Sequence, residues 1–257
     1  MEWKNVLVEQ GKAVMRIAVL GIMFAAVLAA SPPVRAEPPT LLGFPNPPLI
    51  DEVDGKVVGP AAVLAAELAK SVGLSPSIEI QPLPRALATM EAGNRIIPLL
   101  TRTKGREHRY TWIAEIFIDD LAFHTVAPNP RIADVKAAQA FKSIGVREGS
   151  SSHAFLLSHD FGAAIVADPV AEYAARKLAL GRVDAWFTSK TMGHEVWLRE
   201  NLPLSRLQVG ETVGHSVYWI AATKDVSPEL VRKMTERFRE MKADGTYDRI
   251  FSVLMAE

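Results

Sequence analysis

Two short stretches of this chain carry residue types suited to holding an anion. One is Thr101-Arg102-Thr103-Lys104-Gly105-Arg106, directly after the apolar run Ile96 to Leu100. The other is Gly149-Ser150-Ser151-Ser152, which follows a strand-like stretch from Ser143 to Val146. Arginine's planar fork matches a carboxylate two bonds at a time. Hydroxyls and free backbone N–H groups at the start of a helix form a second kind of anion site. Thr101 and Arg106 are therefore expected to hold an anionic group of a small ligand. A solvated turn with surface arginines, and a serine that only caps a helix, account for the same residues without a ligand. Arg85, in Pro82-Leu83-Pro84-Arg85-Ala86-Leu87, stands in the first turn of an expected helix. It either reaches the same cleft or pairs with a nearby glutamate at the surface.

Covalent and metal chemistry find less support. His153 follows the serines, but the Gly-x-Ser-x-Gly elbow is absent, and neighbours in sequence do not automatically face each other. The six histidines, at 108, 124, 153, 159, 194 and 215, show no His-x-x-x-His or His-Glu-x-x-His spacing, the i, i+4 pair that helical metal ligands need. The chain has no cysteine, so neither disulfides nor thiolate metal sites are available and stability must come from burial. No metal or cofactor is expected.

The elements that must position these residues begin after an export signal. Ile17 to Ala30 is an unbroken apolar run preceded by Arg16, and Val34-Arg35-Ala36 offers small residues at the −3 and −1 positions of a cleavage site. Such a run is short for a membrane span and right for a signal-peptide core. Cleavage after Ala36 is expected, with an uncleaved anchor as the alternative, and Met15 is a second candidate start. Residues 1–36 hold four of the 29 basic and two of the 29 acidic residues, leaving 25 against 27 in the remaining 221 and a net charge of −2. Such a balance argues against a nucleic-acid binder.

Beyond the signal, strands and helices alternate. A strand over Leu41 to Ile50, broken by prolines, precedes an Asp54-Gly55 turn. Pro60 opens a helix carrying Leu64, Leu68 and Val72 on one face and stopped by Gly73. A strand at 77–81 and a helix at 85–92 lead into the Thr101–Arg106 loop, the layout of a parallel α/β sheet, whose ligands bind past the carboxyl ends of the strands. Phe117 to Val126 is extended. A second α/β unit follows, with helices at 135–141 and 170–180 and strands at 143–146, 163–167 and 183–187. Strands at 206–210 and 215–222 precede a long helix capped by Ser227, with Leu230, Met234, Phe238 and Met241 on one face. Phe44, Trp186 and Phe187 are candidate aromatic cleft walls, with core packing as the default.

The string Gly93, Ile96 to Leu100, Thr103-Lys104-Gly105-Arg106 and Trp112 resembles the ligand loop of the family 3 solute-binding proteins, the periplasmic receptors that feed amino-acid-type ABC importers. Pro47-Pro48-Leu49, Asp54-Gly55-Lys56-Val57-Val58-Gly59, Gly181-Arg182-Val183-Asp184-Ala185 and Asp244-Gly245-Thr246-Tyr247 extend the resemblance along the exported chain. It implies an α/β, two-lobed, periplasmic-binding-protein-like fold of type II, with two mixed sheets flanked by helices and two hinge crossings. Residues 40–124 plus 214–257 would form one lobe and 128–210 the other. It further implies that Arg106 binds a ligand carboxylate, helped by Thr101 and by the Ser150-Ser151 turn. The position of Ser189 is where amino-acid receptors place the carboxylate that pairs with the ligand's α-ammonium. Its replacement by serine removes a partner that a buried ammonium needs, and together with Lys190 and Arg85 favours a ligand that is mainly anionic. The implied partners are a small-molecule ligand and an inner-membrane ABC permease, with no nucleic acid; the protein would be a monomer in the periplasm and not an enzyme. A receptor for a membrane sensor, and a dehydratase on the same fold with Asp51 or Glu148 as acid or base, are the alternatives.

Overall fold

The computed structural model describes residues 37–161 and 164–254; the expected export signal lies outside them. Eleven strands are present among the described residues: β1 (Thr40–Gly43), β2 (Asp51–Val53), β3 (Lys56–Val58), β4 (Ile78–Ile80), β5 (Arg95–Thr101), β6 (Tyr110–Val126), β7 (Ser143–Arg147), β8 (Ala164–Asp168), β9 (Ala185–Ser189), β10 (Leu207–Val209) and β11 (Gly214–Thr223). The helices are α1 (Pro60–Ser71), α2 (Leu83–Glu91), α3 (Val135–Ala138), α4 (Ser151–Ser158), α5 (Ala171–Ala179), α6 (Lys190–Arg199), α7 (Pro228–Ala243) and α8 (Thr246–Phe251).

Two long strands organise the fold. β6 runs for 17 residues and β11 for ten, antiparallel from Tyr110–Thr223 to Leu121–Gly214. At one end β11 pairs with β5, beyond which lie β1 and β4; at the other, β6 pairs with β9, beyond which lie β7 and β8. β2 and β3 form a separate hairpin. Where two mixed sheets are expected, the long strands join both strand groups into one nine-stranded sheet. The reason is continuity of the ladder: an uninterrupted β6 keeps its hydrogen bonds satisfied through the crossing. Pro98, which cannot donate to a ladder, falls where the β5–β11 register shifts, between the Leu100–Trp219 and Ile97–Ala221 pairs.

Each strand group has its own core. Leu64 and Leu68 of α1 pack with Ile96, Ile113 and Ile220, beneath Met234 and Phe238 of α7. Ser227 caps α7 by accepting the Leu230 N–H at 3.3 Å, and Leu230 packs at the core's edge. The C-terminal Asp-Gly-x-Tyr segment docks here too, its Tyr247 hydroxyl donating to the Ile116 carbonyl at 2.5 Å. In the other group, Phe123 and Phe187 pack with Ile144 and Val146 on one side of the sheet. Trp186 packs with Val196 and Trp197 on the other. Asp184 is structural, its carboxylate accepting from the Lys142 and Ser143 amides at 2.8 and 2.9 Å. Among the described residues no helix is long and apolar enough to cross a membrane.

The long strand β6 buries one histidine. His124 is fully buried against Trp186, and neither ring nitrogen has a well-placed partner. Burial pulls its pKa down to about 4, only partly countered by nearby backbone groups of Trp186 and Ala122. The folded state therefore binds this proton less readily than the unfolded chain, whose histidine titrates near 6.5. The neutral ring's stabilising effect is complete above pH 6.5 and declines as pH falls to about 4, a loss of up to roughly 3 kcal/mol. Urea denaturation across pH 4 to 7 should show this loss shrinking in His124→Leu; an unchanged pH slope would contradict the assignment. A second variant probes the same contact. A Cβ on Gly193 would stand 2.2 Å from His124 Nε2, so Gly193→Ala should cost about 1–3 kcal/mol by overpacking.

Candidate functional site

The two polar stretches converge. The Thr101–Arg106 loop leaves the end of β5, and Gly149 to Ser152 links β7 to α4. Arg106 spans them: its Nη1 donates to the Thr101 carbonyl at 3.2 Å and its Nη2 to the Gly149 carbonyl at 2.6 Å. Both acceptors are neutral, and among the described residues no carboxylate pairs with this half-buried guanidinium. Burial lowers its pKa from the ordinary arginine range, and Arg147 and Arg109 lower it further as like charges.

The other arginines of the loop have structural work. Arg102 donates to both oxygens of Glu107, at 2.9 and 2.5 Å. Its guanidinium lies 5.4 Å from the ring of Trp112 and 4.7 Å from that of Trp219. Arg109 pairs with Glu91. Arg106 is therefore the arginine of this loop with charge left to give.

Thr101 is buried, and its hydroxyl makes no hydrogen bond among the described residues. Ser150 caps α4, accepting the His153 N–H at 3.0 Å and donating to the Arg147 carbonyl at 2.7 Å. Ser151 meets Ser216 of β11 at 2.9 Å. Ser189 lines the same small cavity as Ser150 and Ser151; its hydroxyl accepts the Met192 N–H at 3.4 Å and so caps α6. Arg85 is exposed on α2 and is not among the residues that line this cavity. Lys190 is bound to Thr212 at 2.7 Å, near Asp120. Phe187 is a cavity wall, Phe44 lies against Arg147, and Trp186 is wholly core.

Two charged groups escaped the sequence reading. Asp119 lies on β6, one alternation from the cavity-lining Leu121, and is 4 % exposed. Its carboxylate accepts from the hydroxyls of Ser189 and of Thr191, the latter at 2.9 Å. Burial raises its pKa against these hydrogen bonds. A carboxylate thus stands beside Ser189, supplied by the neighbouring strand. Strand alternation was the available signal, since Asp119 and Leu121 share a face while Asp120 points away. Arg147, at the end of β7, is 8 % exposed. Its Nη1 donates to the Pro45 carbonyl at 2.7 Å and its Nη2 to Asn46 Oδ1 at 2.8 Å.

The cavity lined by Arg147, Ser150, Ser151, Phe187 and Ser189 is closed down, with about 10 Å³ open to the centre of a water molecule, room for a single water; Thr101, Arg106 and Asp119 are not among its lining residues. Larger concavities lie elsewhere. One, at Glu91, Arg109 and Lys224, is an exposed groove; another, at Pro60, Lys190, His194 and Leu254, lies beside α6. Neither is lined by a buried charged side chain. Asp51, one acid or base candidate, is engaged by Arg199, and Glu148 is exposed. Among the described residues no cluster of histidine, aspartate or glutamate is placed to hold a metal ion.

No model of a protein family matches the chain. The histidine-binding periplasmic protein of Salmonella typhimurium is 25 % identical over 204 residues, 76 % of this chain and 78 % of the relative. Among solved structures, an ancestral arginine-binding protein bound to glutamine superposes with a TM-score of 0.74 at 25 % identity, covering 87 % of this chain and all of the other. A histidine kinase sensor domain with similarity to periplasmic binding proteins reaches 0.75 at 17 % identity, over 82 % of this chain and 93 % of the domain. The fold is the two-lobed type II periplasmic-binding fold, and the likeness in sequence is to its family 3 solute-binding members.

The cap at α4 can be tested without a ligand. Ser150→Ala removes the oxygen that accepts the His153 amide and should lower stability by about 1 kcal/mol, read as a reduced urea midpoint at unchanged slope. A variant as stable as the parent would show that the hydroxyl has no capping role.

Proposed function

We propose that this protein is the solute-binding component of an ABC importer, capturing a small carboxylate-bearing solute between two lobes. Residues 40–124 plus 214–257 form one lobe, residues 128–210 the other, and β6 and β11 are the hinge. The observation that carries the reading is Arg106, which spans the cleft from Thr101 to Gly149 with no acidic partner. A carboxylate entering the open cleft exchanges those neutral acceptors for a charged one, and charge-assisted hydrogen bonds are roughly twice as strong as neutral ones. Closure around the bound anion is a hinge motion. Thr101, whose hydroxyl is unengaged, and the Ser150-Ser151 turn complete the anion's surroundings; Ser189 contributes from the second lobe, and Arg85 adds positive charge at the rim.

The contacts that cross between the lobes support closure as a defined state. Arg199 of α6 pairs with Asp51 of β2, Ser151 meets Ser216, and Arg147 reaches Pro45 and Asn46. The curated relatives are named as periplasmic histidine-binding proteins, which supports a periplasmic location and an amino-acid-like or related organic anion as ligand. An inner-membrane permease is the partner that this role requires, and the protein works as a monomer without turnover. The relation of one structural neighbour, an ancestral amino-acid-binding protein, to cyclohexadienyl dehydratase makes Asp119 the group to check for turnover, as a buried carboxylate beside the cavity.

Thermal unfolding of the purified protein against amino acids, dicarboxylates, sugars and organic amines tests the reading. A carboxylate ligand at a hundred times its Kd should stabilise the fold by about 2.7 kcal/mol, and Arg106→Ala should abolish the shift. Shifts by sugars or amines alone, or a carboxylate shift that survives Arg106→Ala, would contradict the anion site.

A further inference from the structure

Arg147 has a role that the anion site at Arg106 does not explain. Arg102, Arg109, Arg176 and Arg199 each hold a carboxylate. Among the described residues Arg147 holds none, although it is the most deeply buried arginine there, at 8 % exposure. Two of its nitrogens donate to neutral oxygens of Pro45 and Asn46, and its Nε is buried without a partner. A buried guanidinium lacking a counter-charge is costly to keep. Tyr218 and, after it, Glu172 act on it only through space.

The group's position points to what supplies the missing charge. Arg147 lines the same cavity as Ser151, Ser189 and Tyr218. It stands two residues before Gly149, whose carbonyl holds Arg106. The two guanidinium groups are close enough for each to feel the other's charge, since Arg147 acts on Arg106 as a like charge. Phe44 lies 5.2 Å from the Arg147 guanidinium, which steadies the fork without neutralising it.

We propose that Arg147 is a second anion-binding group of this cleft, so that the receptor selects small ligands with two acidic groups, one for Arg106 and one for Arg147. The inference rests on the solute-binding reading above and narrows its ligand class. Entry of such a ligand offers each fork a carboxylate in place of the neutral oxygens that now occupy it. Asp119 stands on the Ser189 side of the cavity, so the dianion lies toward the Gly149–Ser150 turn and away from that carboxylate.

The test compares succinate and glutarate with butyrate and valerate, which keep one acid group at matched chain length. Binding to the purified protein is measured by calorimetry and by thermal shift. The dicarboxylates should bind at least tenfold more tightly than their monocarboxylate counterparts. Arg147→Met should remove that preference, weakening dicarboxylates about tenfold while leaving monocarboxylates within about twofold. Arg147→Lys, which keeps the charge and loses the fork, should fall between the two and provides a folded comparison if the methionine variant fails to fold. A purely structural latch behaves differently, lowering the ligand-free midpoint while leaving the preference for two acid groups intact. Equal binding of both series, an equal loss of both in Arg147→Met, or no binding of any of the four acids would overturn the proposal. The outcomes separate the two claims. Monocarboxylate binding that needs Arg106 but gains nothing from a second acid refutes only the Arg147 assignment; binding indifferent to Arg106→Ala refutes the anion site itself.

Discussion

The constraint on which the structure depends is the placement of unneutralised positive charge between two lobes. Arg106 and Arg147 are both drawn out of water, and both are held by carbonyl or amide oxygens in place of carboxylates. Arg102, Arg109, Arg131, Arg176, Arg199, Arg232 and Arg237 each have an acidic partner. A protein that keeps one guanidinium buried and another half-buried without such partners carries a desolvation cost, which the proposed ligand anion would offset. Burial also strengthens whatever interaction such a ligand makes, because the local dielectric is lower than in water.

The rest of the fold can be understood as the means of placing those charges. β6 and β11 carry one strand group at each end, so the Thr101–Arg106 loop and the Gly149–Ser151 turn meet although 43 residues separate Arg106 from Gly149. Arg102, braced by Glu107 and two tryptophans, fixes the course of the loop that carries Arg106. Ser150 fixes the start of α4 and ties back to the Arg147 carbonyl, so the cap and the buried arginine share one turn. The cavity beside Arg147 has space for no more than a water, so the proposed ligand would enter only with the lobes parted.

Much of this was legible in the sequence where the signals are local. Pro60 with Leu64 and Leu68 marked α1, and Ser227-Pro228 with Met234, Phe238 and Met241 marked α7 and its buried face. The apolar Ile96–Leu100 run marked a strand buried on both faces. What depends on distant chain segments was not legible. A lone arginine at a strand end reads as surface, and only the approach of Pro45 and Asn46 buries Arg147. Arg85 has the reverse history: its helix formed as expected, and the residue is exposed on it. Helix α6 was overlooked because Gly193 and His194 weaken its pattern; Ser189, read for its ligand position, is also its cap. Asp119 was readable from strand alternation, as it shares a face with Leu121.

The most direct measurement is a crystal structure of the protein with a carboxylate that raises its unfolding midpoint. The account predicts a carboxylate on the Arg106 fork, in contact with Thr101 and the Ser150-Ser151 turn, with Gly149's carbonyl displaced from the guanidinium. A ligand seated instead in the groove beside Lys190 and His194, with Arg106 still bonded to Gly149, would contradict it.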